Sequence, residues 1–385
     1  MKRVFIALSL LTVVAIIIFA VSFYVPLPVP FNLDFQVLYQ ADRGILLNIP
    51  LYDRAGQARM LSEEWGIPVD QVFVLPFPYP PWYAVFTLPL AFLPIKIAVK
   101  MWFLLNVVML LISIWLLSDQ WSLFKRASSF IVAPLFLPIF GALYVGQYVF
   151  PTILGLSLLI YSLRKQNAVL TAVAMALATF KPHIGLLILL AIFILLLFRR
   201  DTFCRQAVIA TMIAALALFA IGFIADKAWP LAYVRSLFAF KDVSKCKLCV
   251  SFPLAIAQVF GWEFDHSIWI AAALLIIFVG LFVWRRRQPA YEELIASFVC
   301  ITLLVNPYLQ NYDFSYLLIP MFVLAVASDG NGWIGFAILA AFLLPWLTLG
   351  LFARAGNVSF LISTILLFVL MLMSSKLVDK NIIRG

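Results

Sequence analysis

The chain has 385 residues, of which 65% are hydrophobic and 11% are charged, and its mean hydropathy is +1.09. Soluble domains carry about 25% charged residues, so the charged side chains here are too few to cover a water-soluble fold. The composition also excludes a disordered chain, a collagen, a coiled coil and a disulfide scaffold. The net charge of +10 is scattered between apolar runs, which argues against a nucleic-acid partner. Because those runs are continuously apolar rather than alternating, they predict an all-α polytopic integral membrane protein and not a β-barrel.

The N-terminal run resembles a signal peptide at first, because Lys2 and Arg3 precede an apolar stretch from Val4 to about Tyr24. That stretch is longer than the roughly 7–15 apolar residues of a signal peptide, and no cleavage site follows it. We therefore expect a retained first transmembrane helix whose N-terminus faces the cytoplasm.

Residues 25–80 are the least apolar part of the chain and carry six Asp and Glu against three Arg. Cytoplasmic loops are enriched in Lys and Arg, so this acidic segment is expected to be a large first extracytoplasmic loop. Apolar residues from Phe35 to Leu46 recur at roughly helical spacing, which predicts an interfacial helix within the loop. Residues 226–265 are predicted to be a second outer segment, in which the apolar stretch from Val250 to Gly261 is too short to span.

From residue 81 onward the chain consists mainly of apolar runs. The basic clusters between these runs, and the one at the C-terminus, are expected to be cytoplasmic. Six runs lie between the acidic loop and Arg199-Arg200, where an odd number is required. One of the six is therefore expected to be re-entrant or a half-span. No segment is polar and long enough to form a soluble domain, so residues 1–385 are expected to form one membrane-embedded domain. The predicted runs are 81–95, 97–117, 129–145, 147–163, 167–180, 183–198, 207–225, 266–284, 291–305, 314–328, 333–352 and 357–375.

Motifs for nucleotide binding, zinc proteolysis and serine hydrolysis are absent from the sequence, and two histidines cannot make a His-rich metal site. Asp34 lies just after the first predicted helix among aromatic residues. Partial desolvation there would raise its pKa towards that of a general base. The alternative is that Asp34 is a helix N-cap.

Tyr52-Asp53 is either a turn with a polar end or part of a site. The run from Pro76 to Trp82 cannot be helical before its last proline, so Pro80 or Pro81 is expected at the first position of a helix. Its aromatic residues form either an interfacial belt or a stacking wall for a sugar or an isoprenoid tail.

Lys181-Pro182-His183 interrupts an apolar stretch, where a lysine is costly and marks a functional site by default. A phosphate would be a natural partner for this lysine, and an ordinary loop lysine is the alternative.

Gly146-Gln147 is expected to be a tight turn, and residues 306–313 form a polar loop. Cys246 and Cys249 are spaced for a short disulfide in an oxidising compartment, whereas Cys204 and Cys300 are expected to be buried.

Taken in order, these fragments resemble glycosyltransferase family 87 of the GT-C superfamily. The resemblance rests on Asp34-Phe35 with Tyr39 and Arg43, Pro50-Leu51-Tyr52-Asp53, Tyr79-Pro80-Pro81, Gly146-Gln147, Lys181-Pro182 and Asn306-Pro307, and it spans about residues 30 to 320. Many members have a histidine in the late loop, where Tyr312 stands in this chain. Tyrosine can hydrogen-bond a phosphate or a sugar but carries no positive charge near neutral pH.

The resemblance implies a multi-spanning GT-C-type fold whose active site is extracytoplasmic. Together with the apolar runs and the basic clusters, it predicts about 11 transmembrane helices with both termini cytoplasmic. The inner membrane of a bacterium is the expected location. The resemblance implies an inverting mannosyltransferase that uses a polyprenyl-phosphate-sugar donor and a lipid or glycan acceptor, with no cofactor and no obligatory metal. Asp34 takes the place of the catalytic acid in the first outer loop and would be the general base. The candidate phosphate-binding residues are Lys181, Arg43 and Arg235, and the candidate substrate-binding residues are Tyr39, Tyr52, Asp53, Tyr79, Gln147, His183, Asn306, Gln310 and Tyr312.

Two other functions are compatible with the composition. A transporter or lipid flippase would have many spanning helices, but such proteins often show inverted repeats, and the two halves of this chain do not match. A membrane scaffold without chemistry would leave Asp34, Lys181 and Tyr312 far apart, whereas the enzyme would have one outward-facing cavity lined by Asp34, with a groove open to lipid.

Overall fold

The computed structural model describes residues 33–199, 201–244, 249–286, 289–327, 332–351 and 356–374. Within these ranges every regular element is a helix and no strand occurs, which confirms the all-α prediction. The predicted first transmembrane helix, Cys246 and the basic C-terminal tail lie outside the described residues. The helices are α1 (Leu33–Leu46), α2 (Arg54–Trp65), α3 (Pro81–Thr87), α4 (Ile95–Leu117), α5 (Leu123–Val132), α6 (Leu137–Val145), α7 (Val149–Arg164), α8 (Ala168–Ala178), α9 (Pro182–Phe198), α10 (Thr202–Ala225), α11 (Trp229–Ser244), α12 (Phe252–Val259), α13 (Phe264–Arg285), α14 (Tyr291–Val305), α15 (Leu318–Ala327), α16 (Gly332–Leu351) and α17 (Gly356–Met373).

The chain divides into two compact units. The first unit holds residues up to 111, 143–151 and 212–245. The second unit holds residues 112–142, 152–211 and those from 246 onward.

In the first unit, α1 confirms the helix predicted from the spacing of its apolar residues, and one face of it packs within the unit; its place on the outer leaflet stays a prediction. Phe35 and Leu38 are fully buried, and the ring of Phe35 stacks on Trp102 with 5.5 Å between the ring centres. Helix α3 begins at Pro81, one of the two prolines predicted for this position. Pro at the first helical position loses no hydrogen bond, because that N–H has no partner within the helix.

The second unit is built around α14, which is buried over nearly its whole length. Helices α9, α13, α15 and α17 pack against it. Two glycines allow close approach to the end of α8. An added Cβ would lie 2.6 Å from the Ala178 nitrogen at Gly155 and 2.0 Å from the Ala178 oxygen at Gly185.

Among the described residues, α4, α10, α13 and residues 332–349 of α16 are long and apolar enough to cross a membrane. The chain from Leu123 to Val145 adds a fifth candidate if its two parts, bent by 60°, form one span. Other apolar helices are shorter, and α8 has 11 residues, or about 16 Å of helix against a hydrocarbon core of about 30 Å. Short and bent helices therefore occur in the front half, where one run was expected not to cross. The number of about 11 spanning helices stays a prediction.

Candidate active site

Asp34 lies in the first turn of α1 and is half-buried. The side-chain amide of Gln147 donates a hydrogen bond to its Oδ2 over 2.9 Å. Backbone N–H groups at the start of a helix stabilise a negative charge nearby. The carboxylate of Asp34 is thus held by a donor from a distant part of the chain and by the start of its own helix.

Gln147 is placed by the turn that follows α6. Gly146 has φ +71°, a left-handed conformation that glycine adopts without steric cost, and its carbonyl accepts a bond from Trp102 Nε1 over 2.9 Å. The Gln147 side chain is 2% exposed, and its Oε1 accepts a bond from the Tyr148 backbone N–H over 2.9 Å. Because the amide oxygen is used in this way, the amide NH₂ is the part that faces Asp34.

An aromatic cluster follows Gln147. The Tyr148 ring meets the rings of Tyr79 and Tyr83 edge to face, with ring centres 4.8 and 5.4 Å apart. Tyr52 joins this cluster through its hydroxyl, which donates to the Tyr79 carbonyl over 2.8 Å. Three predicted site residues, Tyr52, Tyr79 and Gln147, are therefore connected through hydrogen bonds and ring contacts that involve both side chains and backbone.

A cavity of about 250 Å³ lies beside Tyr52 in the first unit. Arg235, a predicted phosphate ligand, lines this cavity together with Tyr52, Phe77 and Arg54. Burial raises the pKa of Tyr52, so its hydroxyl stays neutral and remains a hydrogen-bond donor. Arg54 was not among the site residues predicted from the sequence. The available signal was its place at the first position of α2, where the helix dipole disfavours a cation.

Two other candidates in the first unit have structural contacts, and a third, Arg43, lies away from Asp34. Asp53 is the N-cap of α2, because its Oδ1 accepts a bond from the Gly56 N–H over 2.9 Å. Tyr39 is buried, and its hydroxyl donates to the Leu93 carbonyl over 2.7 Å. Arg43 follows Asp34 by nine residues, which places it on the opposite face of α1 and about 13 Å further along the helix axis.

Lys181 lies in the second unit, immediately before α9, and is 2% exposed. Its ammonium group forms an ion pair with the equally buried carboxylate of Asp313 and lies 4.9 Å from the centre of the Tyr312 ring. A buried lysine needs a countercharge, and the ring face of tyrosine adds to the attraction. Asp313 was not among the predicted site residues, although a lysine in an apolar run is costly and requires a partner.

Further hydrogen bonds connect this ion pair to the polar loop of residues 306–313. Asn306 Nδ2 donates to the His183 carbonyl over 3.0 Å, and the Gln310 N–H donates to Asp313 Oδ2 over 2.8 Å. The structure therefore brings six residues into one polar cluster of the second unit, which we call the late cluster. Its members are Lys181, His183, Asn306, Gln310, Tyr312 and Asp313.

The sequence model of glycosyltransferase family 87 matches residues 77–307, which is more than half of the chain. The protein belongs to glycosyltransferase family 87. Neither a curated protein nor a solved structure matches the chain to a significant degree. As a family 87 member with long apolar helices, the chain is a membrane glycosyltransferase. Gln147 and Lys181 lie within the matched range, whereas Asp34 and Tyr312 lie outside it.

Within the described part of this family 87 chain, no group of three His, Cys, Asp or Glu side chains could hold a metal ion. Cys204 and Cys300 are free and fully buried, as predicted. Cys249 is disulfide-bonded.

Proposed function

We propose that this family 87 enzyme transfers a hexosyl unit, mannose by family resemblance, from a polyprenyl-phosphate sugar to a lipid or glycan acceptor. The observation that carries the proposal is the hydrogen bond from Gln147 to Asp34 at the start of α1. A catalytic base must be held in one orientation to accept a proton from a substrate, and this contact fixes one carboxylate oxygen.

In the proposed reaction, a hydroxyl oxygen of the acceptor attacks the anomeric carbon while Asp34 removes the hydroxyl proton. The bond between the anomeric carbon and the phosphate oxygen breaks, and the polyprenyl phosphate leaves with that electron pair. A single displacement of this kind inverts the anomeric centre. The negative charge that develops on the leaving phosphate is stabilised by a positioned cation.

Arg235 and Arg54, two cations of the first unit, are our candidates for this role. Both line the cavity beside Tyr52, and guanidinium groups suit the bidentate recognition of phosphate. Lys181 is a weaker candidate for the phosphate because Asp313 already balances its charge. Arg43 lies on the face of α1 opposite Asp34, so we give it no role in the phosphate site.

The sugar is proposed to contact the same cavity. The rings of Tyr52 and Phe77 lie 6.2 Å apart and contribute flat apolar surfaces for the C–H groups of a hexose. At about 250 Å³ the cavity is smaller than the roughly 300–1,000 Å³ of sites for drug-sized ligands, so we propose that it takes the phosphate and the one sugar of the donor and none of the polyprenyl chain.

The proposed location is the bacterial inner membrane, with both termini in the cytoplasm and the active site on the outer side. The acidic character of residues 25–80 supports this orientation, because cytoplasmic loops are enriched in Lys and Arg. By family resemblance the reaction needs no cofactor or metal, so we expect transfer to be unchanged by a chelator.

The test is a transfer assay with purified protein in liposomes, radiolabelled polyprenyl-phosphate mannose and a crude mixture of lipid and glycan acceptors. Asp34→Asn should lower the rate by about 10²–10⁴-fold, the typical contribution of a general base, while the protein stays folded and inserted. Asp70→Asn changes an exposed carboxylate of the same loop region and should keep the wild-type rate.

Wild-type turnover by Asp34→Asn would overturn the assignment of the base. If wild type moves the labelled lipid between leaflets but transfers no sugar from any polyprenyl-phosphate donor, a flippase would replace the proposed transfer.

A further inference from the structure

A second and larger cavity, of about 660 Å³, lies wholly within the second unit. Helix α5 forms one wall, and the other walls come from α15 and α16. On α5 the lining residues include Lys125 and Ser129, which are spaced at about one helical turn and share a face. None of these residues is assigned to glycosyl transfer.

The two ends of this groove differ in polarity. At the start of α5 it is lined by Gln120, Ser122 and Lys125, whereas at the end of α5 Val132 and Phe342 line it. The distance along the helix between these ends is about 15 Å. A groove with one charged end and one apolar end matches an amphiphile, with the head group at α5's start and the chain at its end.

The surroundings of α5 are those of a helix at a membrane interface. Ile131 and Leu135 are 71% and 58% exposed on the outside of the groove, although both are large apolar residues. At the polar end Trp121 stacks on Phe322 with 4.8 Å between the ring centres, and Trp is enriched at the membrane–water interface. The groove therefore opens where lipid head groups and acyl chains meet.

The charge at the polar end favours an anion. Lys125 is exposed and Arg126 follows it, so two cations occupy the first turn of α5, where the helix dipole disfavours positive charge. Of these two cations Lys125 lines the groove, whereas the guanidinium of Arg126 lies 3.3 Å from the centre of the Trp115 ring. A phosphate at this end would be attracted by Lys125 and by the helix start together.

We propose that this groove binds one anionic phospholipid of the bilayer, with its phosphate at Lys125 and Ser122 and one acyl chain along Val132 and Phe342. The proposal does not depend on glycosyl transfer, because the site is made from residues outside the proposed reaction. The bound lipid would act as a structural ligand of α5, α15 and α16.

The test is native mass spectrometry of delipidated full-length protein titrated with phosphatidylglycerol or with phosphatidylcholine of the same acyl chains. Wild type should retain one phosphatidylglycerol with about five-fold preference, the effect of roughly one basic residue near an anionic lipid surface. Lys125→Gln should abolish the preference for phosphatidylglycerol, and Lys125→Arg should keep it. Val326→Trp should block the groove and lower the occupancy by either lipid.

Two controls separate this site from general lipid adhesion. Lys96→Gln removes an exposed lysine outside the groove, and Val169→Trp adds the same bulk at an exposed position outside it. Both controls should bind phosphatidylglycerol as wild type does. Equal retention of the two lipids by wild type would overturn the proposal. Displacement of phosphatidylglycerol by polyprenyl phosphate at a much lower concentration than phosphatidylglycerol would also overturn the proposal, because the groove would then be a polyprenyl-lipid site.

Discussion

The side-chain amide of Gln147 lies 2.9 Å from a carboxylate oxygen of Asp34, although 113 residues separate the two in the chain. The Gln147 amide oxygen is held by the Tyr148 N–H, so the amide cannot rotate without losing that bond. The proposed base is thus oriented by a residue that itself is fixed by the backbone.

Replacing Gln147 should affect catalysis more than folding. Gln147→Leu removes the hydrogen-bond donor but keeps a similar side-chain volume. We expect kcat to fall by about 10–100-fold with little change in KM, because a misplaced base removes the acceptor proton more slowly. Gln147→Glu places a second carboxylate beside Asp34, which should raise the pKa of Asp34 and move the acidic limb of the pH–rate profile to higher pH. Steady-state kinetics across pH measure both effects.

An unchanged pH profile in Gln147→Glu, with the protein inserted and monodisperse, would contradict the role of Gln147 beside the base. Gln120→Glu makes the same substitution in the second unit and should leave kcat and the pH profile as in wild type.

Gly146→Ala should lower both stability and transfer. The positive φ at this position costs a residue with a Cβ about 1–2 kcal/mol, and relief of that strain would displace Gln147 from Asp34. Gly66 has φ +65° at the exposed end of α2, so Gly66→Ala should lose similar stability while keeping the wild-type rate. Thermal unfolding and transfer rates of both variants separate strain from positioning. Equal transfer rates in the two variants would mean that the Gly146 turn does not position the site.

Lys181 and Asp313 should contribute to the stability of the protein as a pair. Lys181→Met or Asp313→Leu alone leaves an uncompensated buried charge and should cost about 3–5 kcal/mol of stability. The double variant leaves neither charge and should recover most of that loss. Unfolding of the three variants in detergent measures the coupling between the two residues.

The double variant also tests the role of Lys181 in donor binding. If Lys181 serves only the late cluster, the double variant should bind donor as wild type does. A large rise in KM for the donor with restored stability would return Lys181 to the phosphate site.

Asp42 should make the stability of the protein depend on pH. Its carboxyl is 1% exposed, and burial raises its pKa well above the usual value, although the hydroxyl of Thr87 partly offsets this rise. The folded state therefore holds a proton that the unfolded state releases above about pH 4, so stability should fall as pH rises from there to the raised pKa. Asp42→Asn should flatten this dependence and raise the unfolding midpoint at pH 7.

The control for Asp42 is the exposed Asp70, whose replacement by Asn should leave the pH dependence of unfolding as it is in wild type. An unfolding midpoint that falls equally between pH 5 and 8 in wild type and in Asp42→Asn would show that another group dominates.

Most helices could be placed from the sequence, because apolar residues that recur at helical spacing or form a long continuous run indicate a helix with a buried or lipid-facing surface. The start of α3 at Pro81 and the helix at Phe35 follow from this logic and from the fixed φ of proline. The sequence could not say which apolar runs are full spans, because a proline or a bend leaves the composition of a run unchanged. The bend of 60° after Leu135 is visible only in the structure.

The candidate site was predicted as a set of residues but not as an arrangement. Asp34, Tyr52, Tyr79 and Gln147 are connected in the first unit by hydrogen bonds and ring contacts. The structural roles of Asp53 and Tyr39 could not be separated from functional ones, because capping and catalytic residues have the same side-chain chemistry.

The amino-acid sequence by itself determined a helical membrane protein with an acid after its first apolar run, since burial of apolar side chains depends on composition and spacing. Only the tertiary structure decided which polar groups meet: Gln147 with Asp34, and Asp313 with Lys181. A buried polar atom needs a partner, but any donor or acceptor in the chain can satisfy it. Which one does so is set by the folding of distant segments against each other.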